Sequence, residues 1–169
     1  MELISDDIII KSSVKEELPE LETVYGEAMG LVGFDRLTPA INPAKYLRGF
    51  DMAFSDRGNH EMLSIYIAEM LVGYVALCRD FPGKQFVRIE FLYIAQPARG
   101  KGFGSRVLCG IKKFFRDADY GSIRARVSLR NWNAMRFLTA RGFNRIMSIQ
   151  TDGCIESGGC GALELECTL

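Results

Sequence analysis

The sequence predicts a mixed α/β fold, with about seven strands in a mostly antiparallel sheet flanked by about four helices. Three observations lead there. Short β-branched or alternating apolar segments recur along the chain, and segments of helical apolar spacing fall between them. Near the middle, three strand-like segments follow one another with only short breakers between, which makes an antiparallel meander. Read in order, the elements run β-α-α-β-β-β-α-β-α-β-β, a sheet with helices on its faces.

The stretch "DIIIKSSV" (7–14) is short and β-branched and reads as the opening strand. In "EELPELETVYGEAM" (16–29), Leu18, Leu21, Val24, Tyr25 and Met29 fall near helical spacing. Asn42 and Pro43 form a cap and first-turn pair for a second helix through "AKYLRGFDMAF" (44–54), ending before a loop of Asp56, Arg57, Gly58 and Asn59. The meander strands are expected at about 61–68, 71–79 and 85–95, divided by a tight turn near Glu69 and by "RDFPGKQ". A long helix follows in "GFGSRVLCGIKKFFRDA" (102–118), with Val107, Leu108, Ile111, Phe114 and Phe115 along one face. "SIRARVSLR" (122–130) alternates apolar Ile123, Ala125, Val127 and Leu129 with Arg124, Arg126, Ser128 and Arg130, so it is a half-buried strand. "NWNAMRFLTARGF" (131–143) is a helix stopped by Gly142, and "FNRIMSIQ" and "ALELECTL" close the chain as two strands.

A length of 169 residues fits one domain over 1–169, with no metal or disulfide scaffold needed for stability. Acidic and basic residues balance at 21 each, which removes any general attraction for nucleic acid or anionic membrane. The acids of "MELISDDIII" do not resemble an export signal, and the longest apolar run is broken by Glu69 and Gly73, so no membrane span is expected. Five cysteines without a C-x-x-C pair, and a single histidine, His60, read as thiols of a reducing cytoplasm rather than a zinc site. Cys154 and Cys160 are close enough in sequence to bridge across a hairpin, but nothing requires it.

Function is concentrated in "FLYIAQPARGKGFGSRVL" (91–108), where a strand breaks into a glycine-rich basic turn and then a helix. A helix N-terminus presents unpaired amides backed by about half a positive charge, and so takes an anion. Gly100, Gly102 and Gly104 clear side chains from those amides and allow positive φ; Arg99 and Lys101 add charge, and Ser105 a hydroxyl. The spacing fits neither G-x-G-x-x-G nor the Walker pattern, which argues against dinucleotide and nucleoside-triphosphate sites.

"RGKGFG" (99–104) resembles the R-x-x-G-x-G signature of the GCN5-related N-acetyltransferases. "LYI" (92–94) lies where that family has its Leu-x-Val strand, and "NWNAMRFLTARGF" resembles its N-x-x-A-x-x-(L/F)-Y-x-x-x-G-F segment. With the hairpin "MLVGYVAL", the likeness covers about residues 60–145. It implies acetyl-coenzyme A as cosubstrate, no metal, and direct acetyl transfer to an amine. It also implies that Leu92, Tyr93 and Ile94 pair with the pantetheine arm through their backbone. Arg99, Gly100, Lys101, Gly102, Phe103, Gly104 and Ser105 would hold the pyrophosphate, and Asn131, Ala134 and Phe137 would flank the thioester.

Glu90, just before that strand segment, is the candidate base for the acceptor's proton; equally, it pairs with Arg88 or a strand arginine. Where the family often has a tyrosine to protonate the leaving thiolate, this chain has Leu138, with Tyr93, Tyr66, Cys109 and solvent as stand-ins. That departure keeps a non-catalytic acyl-coenzyme A-binding module as an alternative, beside a transferase for another acyl chain or acceptor. The arginines of "RARVSLR" read as a solvated face or as a basic wall near a carboxylate-bearing acceptor. His60 reads as a loop residue, and Trp132 and Phe137 as packing. Dimers are common among such folds, and no motif here identifies the oligomeric state or the acceptor.

Overall fold

In the computed structural model, which describes residues 2–5, 7–30, 38, 40–48, 59–151 and 160–169, the strands form a single eight-stranded sheet. They are β1 (Glu2–Ser5), β2 (Ile8–Ser12), β3 (His60–Ile67), β4 (Met70–Arg79), β5 (Phe86–Ile94), β6 (Ser122–Ser128), β7 (Arg145–Thr151) and β8 (Gly161–Thr168), in the order β1-β2-β3-β4-β5-β6-β8-β7. Every neighbouring pair is antiparallel except β5 and β6, which run parallel. Among the described residues the α-helices are α1 (Leu18–Met29), α2 (Pro43–Arg48), α3 (Phe103–Asp117) and α4 (Trp132–Thr139).

The expected order holds with one addition. The N-terminal residues form β1, which pairs with β2 from Glu2↔Lys11 to Ser5↔Ile8. Four residues carrying an acid and a serine have no legible alternation, and the strand exists because β2 offers an edge to pair with. Asn42 caps α2 as expected, its side-chain oxygen accepting from the Lys45 amide at 3.2 Å. The remainder of the helix expected through Phe54, and Cys154 with its possible bridge to Cys160, lie outside the described residues. His60 belongs to β3 rather than a loop.

The sheet carries a separate core on each face. On one side, Ile8, Ile10, Leu63, Ile65, Val75, Leu77, Val87 and Ile89 pack against Val107, Leu108, Ile111 and Phe115 of α3 and Leu138 of α4. On the other, Met62, Tyr74, Ala76, Phe91 and Tyr93 pack against Leu21, Val24 and Ala28 of α1. Strand β4 therefore alternates between two apolar faces rather than between core and water, which is why "VGYVALC" reads as an unbroken apolar run. Each fully buried Leu or Ile here contributes roughly 1.5–3 kcal/mol relative to exposure.

At Gly73 the backbone of β5 approaches so closely that a Cβ would stand 2.2 Å from the Tyr93 carbonyl oxygen. Gly73→Ala is expected to destabilise the fold by about 2 kcal/mol, read as a thermal midpoint lower by roughly 4–8 °C. A polar cluster ties β3 to the turn before α1. The Glu17 carboxylate accepts from Ser64 Oγ at 2.5 Å, Tyr66 Oη at 2.6 Å and the Val14 amide at 3.2 Å. Burial favours the neutral acid, yet the hydrogen bonds from Ser64, Tyr66 and Val14 together hold Glu17 below the ordinary carboxylate value. A depressed folded-state value stabilises above the unfolded value and loses that contribution as pH falls through the folded one. Glu17→Gln is expected to flatten the fall in stability as pH drops below the ordinary glutamate value of 4.5, measured by denaturant titration at each pH.

Candidate functional site

The site begins with a break in pairing. The parallel ladder runs from Phe86↔Ser122 to Ile89↔Ala125 and stops, although β5 continues to Ile94 and β6 to Ser128. At that same point the register of β4 with β5 slips, since Leu77 faces Ile89 while Ala76 faces Phe91. Glu90 is the extra residue, and a bulge bends its strand and increases its twist. The bend carries β5 away from β6 and opens a wedge between two parallel strands.

The wedge is the floor of a cleft of about 970 Å³. Of the residues singled out above, Glu90, Leu92, Tyr93, Ile94, Arg99, Gly100, Gly102, Phe103, Gly104, Ser105, Asn131, Ala134 and Phe137 line it. Lys101 does not; it is exposed, outside the lining. Thr38, Arg126, Ser128, Asn133 and Arg141 line the cleft without having been singled out for the cofactor.

At the mouth, the chain leaves β5 through a single 3₁₀ turn (Gln96–Ala98) and enters α3 through two glycines with left-handed φ, +74° at Gly100 and +81° at Gly102. Nothing lies within 4 Å of a Cβ built on either one, so it is the backbone conformation that requires glycine there. Gly104 differs from the expectation. It is helical, and a Cβ would meet the Phe137 ring at 3.2 Å, so its missing side chain seats α4 against α3.

Three groups hold this mouth in shape. Arg99 donates from Nε to the Ile94 carbonyl at 2.7 Å and lies over the Tyr93 ring at 4.5 Å. Glu27 of α1 accepts from the Tyr93 hydroxyl at 3.0 Å and from the Gln96 amide at 2.5 Å. Arg141, beyond α4, donates from Nε to Ser105 Oγ at 2.9 Å and from Nη1 to the Phe137 carbonyl at 2.9 Å, its guanidinium 4.0 Å from the Phe137 ring centroid. Two arginines thus flank the N-terminus of α3. Sequence reading passed over Arg141, whose only signal was its position four residues after Phe137 and just before the terminating Gly142.

Asn131 caps α4, its side-chain oxygen accepting from the Ala134 amide at 3.0 Å, which accounts for an Asn there on local grounds. Trp132 is 71% exposed, so it is not a packing residue.

On the face toward α1, both readings of Glu90 find a geometric counterpart. It lines the cleft, and its Oε1 accepts from Arg88 Nε at 2.5 Å. The arginines of β6 divide. Arg124 is held by Glu166 at 2.7 Å and Glu164 at 3.7 Å across β8, whereas Arg126, hydrogen-bonded to Gln150, reaches the cleft. Leu138, where the family often has a tyrosine, packs into the core and also lines the cleft. Tyr66 is bonded to Glu17 and, like Cys109, lies outside the cleft lining. Tyr93 lines the cleft, but burial, and then its bond to Glu27, push its phenol up to about 12.

The sequence profile of the Acetyltransferase (GNAT) family matches residues 28–143, most of the chain and every residue that lines this cleft. The chain belongs to the GNAT family. As a GNAT protein it is an acyltransferase by family, and its solved neighbours share the fold. One is RimL, a ribosomal L7/L12 α-N-protein acetyltransferase in complex with coenzyme A, with a TM-score of 0.78 and 12% identity over 100% of this chain and 98% of that one. A second is the Salmonella typhimurium acetyltransferase that modifies the N-terminal serine of L7/L12, at 0.72 and 11% over 100% and 99%. A third, a Bacillus anthracis protein in complex with acetyl-coenzyme A, gives 0.67 and 13% over 97% and 99%. At such identities the likeness is one of fold. No curated protein matches the sequence. Among the described residues, no helix of this GNAT chain is long and apolar enough to cross a membrane.

Proposed function

We propose that this GNAT chain, acting as one domain over 1–169, transfers an acetyl group from acetyl-coenzyme A to a primary amine. The observation that carries the reading is the wedge between β5 and β6, whose open strand edge leads straight to a positive-φ glycine turn flanked by Arg99 and Arg141. An extended arm ending in a pyrophosphate suits that arrangement. The backbone of Leu92, Tyr93 and Ile94, freed from β6, pairs with the amides of the arm. The Gly100–Ser105 turn and the start of α3 take the pyrophosphate on main-chain N–H groups, with the arginines balancing its charge.

The acceptor's protonation sets the barrier. A lysine-like amine of pKa about 10.4 is neutral in about one molecule in a few thousand at pH 7, a cost of roughly 4–5 kcal/mol. Glu90 sits where a carboxylate can take that proton, directly or through water, as the amine nitrogen attacks the thioester carbonyl. The new C–N bond forms, the C–S bond breaks, and coenzyme A leaves as a thiolate that solvent protonates.

The buried Leu138, standing where a phenol is usual, favours a second reading, an acyl-coenzyme A-binding module without turnover. Release of free thiol from acetyl-coenzyme A, measured across a panel of amines, separates the two. A peptide N-terminal α-amine belongs first in the panel, since two structural neighbours are acetyltransferases of that class of substrate. Turnover with any amine removes the binding-module reading; saturable coenzyme A binding without turnover across the panel removes ours.

A further inference from the structure

On the α1-facing side of the sheet, three adjacent strands bring together an imidazole, a thiol and a carboxylate. His60 stands opposite Cys78 in the β3–β4 register, and Cys78 opposite Arg88 in the β4–β5 register. The bulge at Glu90 turns its carboxylate to the same side. The donor atoms of His60, Cys78 and Glu90 all lie within 4.8 Å of one another. The residues are 18 and 12 positions apart in sequence, so no linear spacing announces them.

We propose that His60, Cys78 and Glu90 form a binding site for a single thiophilic divalent cation of the zinc type, at the floor of the sheet beside the cleft. One sulfur, one nitrogen and one oxygen are a donor set that selects zinc-like ions over magnesium or calcium, which take oxygen alone. Bonds of about 2.0–2.3 Å place tetrahedral donors roughly 3.3–3.8 Å apart, so closing on the ion takes only small side-chain rotations. Three protein ligands leave the fourth position open; because Arg88 and the ion then engage both oxygens of Glu90, the loaded site withdraws Glu90 from proton transfer, and ion binding and the base role exclude each other.

Charge and access agree. A thiolate and a carboxylate neutralise the two charges of the ion, so Arg88 nearby meets a neutral centre. Both Arg88 contacts to Glu90 fall on Oε1, which leaves Oε2 as the ligating oxygen, and the Arg88 guanidinium is also seated 3.9 Å from the Phe81 ring centroid. Cys78 is buried, whereas His60 and Glu90 are half-buried, and Glu90 also lines the cleft through which an ion enters.

The test is a titration of the purified full-length chain with Co²⁺, under a reductant that does not bind metal. The site predicts one equivalent per chain and a sulfur-to-cobalt charge-transfer absorption in the near ultraviolet, which Zn²⁺ abolishes by displacement. Cys78→Ser should lose that absorption, and His60→Ala should weaken Co²⁺ binding by about tenfold or more. His60 is half-buried, so its variant decides the matter even if Cys78→Ser fails to fold. The proposal is overturned if the native chain shows no such absorption, if Cys78→Ser retains it through another cysteine, or if His60→Ala binds Co²⁺ unchanged.

Discussion

Glu90→Gln is expected to lower kcat/KM for the amine acceptor by about 10²- to 10⁴-fold near neutral pH. The amide keeps an oxygen for Arg88 but cannot take a proton, so the pairing of Arg88 with Glu90 survives while the chemistry does not. The deficit should shrink at alkaline pH, where more of the amine is neutral without help. Arg88→Gln is the control. A carboxylate whose only task is to hold Arg88 would leave Glu90→Gln close to native activity while Arg88→Gln loses it, and that outcome, or a loss in Glu90→Gln that is the same at every pH, would end Glu90's role as base. Coenzyme A affinity should be close to native in Glu90→Gln, because the proposed cofactor contacts on this strand are main-chain groups from Leu92 onward.

Gly102→Val should raise the coenzyme A dissociation constant about 100-fold, roughly 2.7 kcal/mol, in calorimetric titration of the folded protein. Two causes act together. A β-branched residue is a genuine outlier at the +81° φ of Gly102, so the turn must rebuild, and the new side chain enters the open space at the mouth of α3. Gly104→Val makes the contrast. Its side chain meets Phe137, so the damage falls on the seating of α4 and lowers the thermal midpoint as well. Unchanged coenzyme A affinity in a folded Gly102→Val protein would remove the anion-binding role of the turn, whatever the family.

Much of the architecture was legible because it is written in local periodicity. The alternation of "SIRARVSLR", the apolar stripe of α3 and the Asn42–Pro43 start of α2 each declare an element without reference to the rest of the chain. Positive φ at Gly100 and Gly102 was legible for the same reason, since a strand that turns sharply into a helix needs glycine there. Gly104 was misread because its reason is tertiary: only the packing of Phe137 shows why a side chain is excluded. β1 escaped because an edge strand is defined by its partner rather than by its own pattern.

The sequence by itself determined every element but β1, the glycine turn and the family, all of which depend on neighbours a few residues apart. Tertiary structure alone decided where the sheet opens, because the bulge at Glu90 is a relation of register between β4 and β5. It alone brought Arg141 to Ser105, thirty-six positions away, and set His60, Cys78 and Glu90 side by side. Register and crossover convert distance along the chain into contact in space, and a one-dimensional pattern carries no record of either.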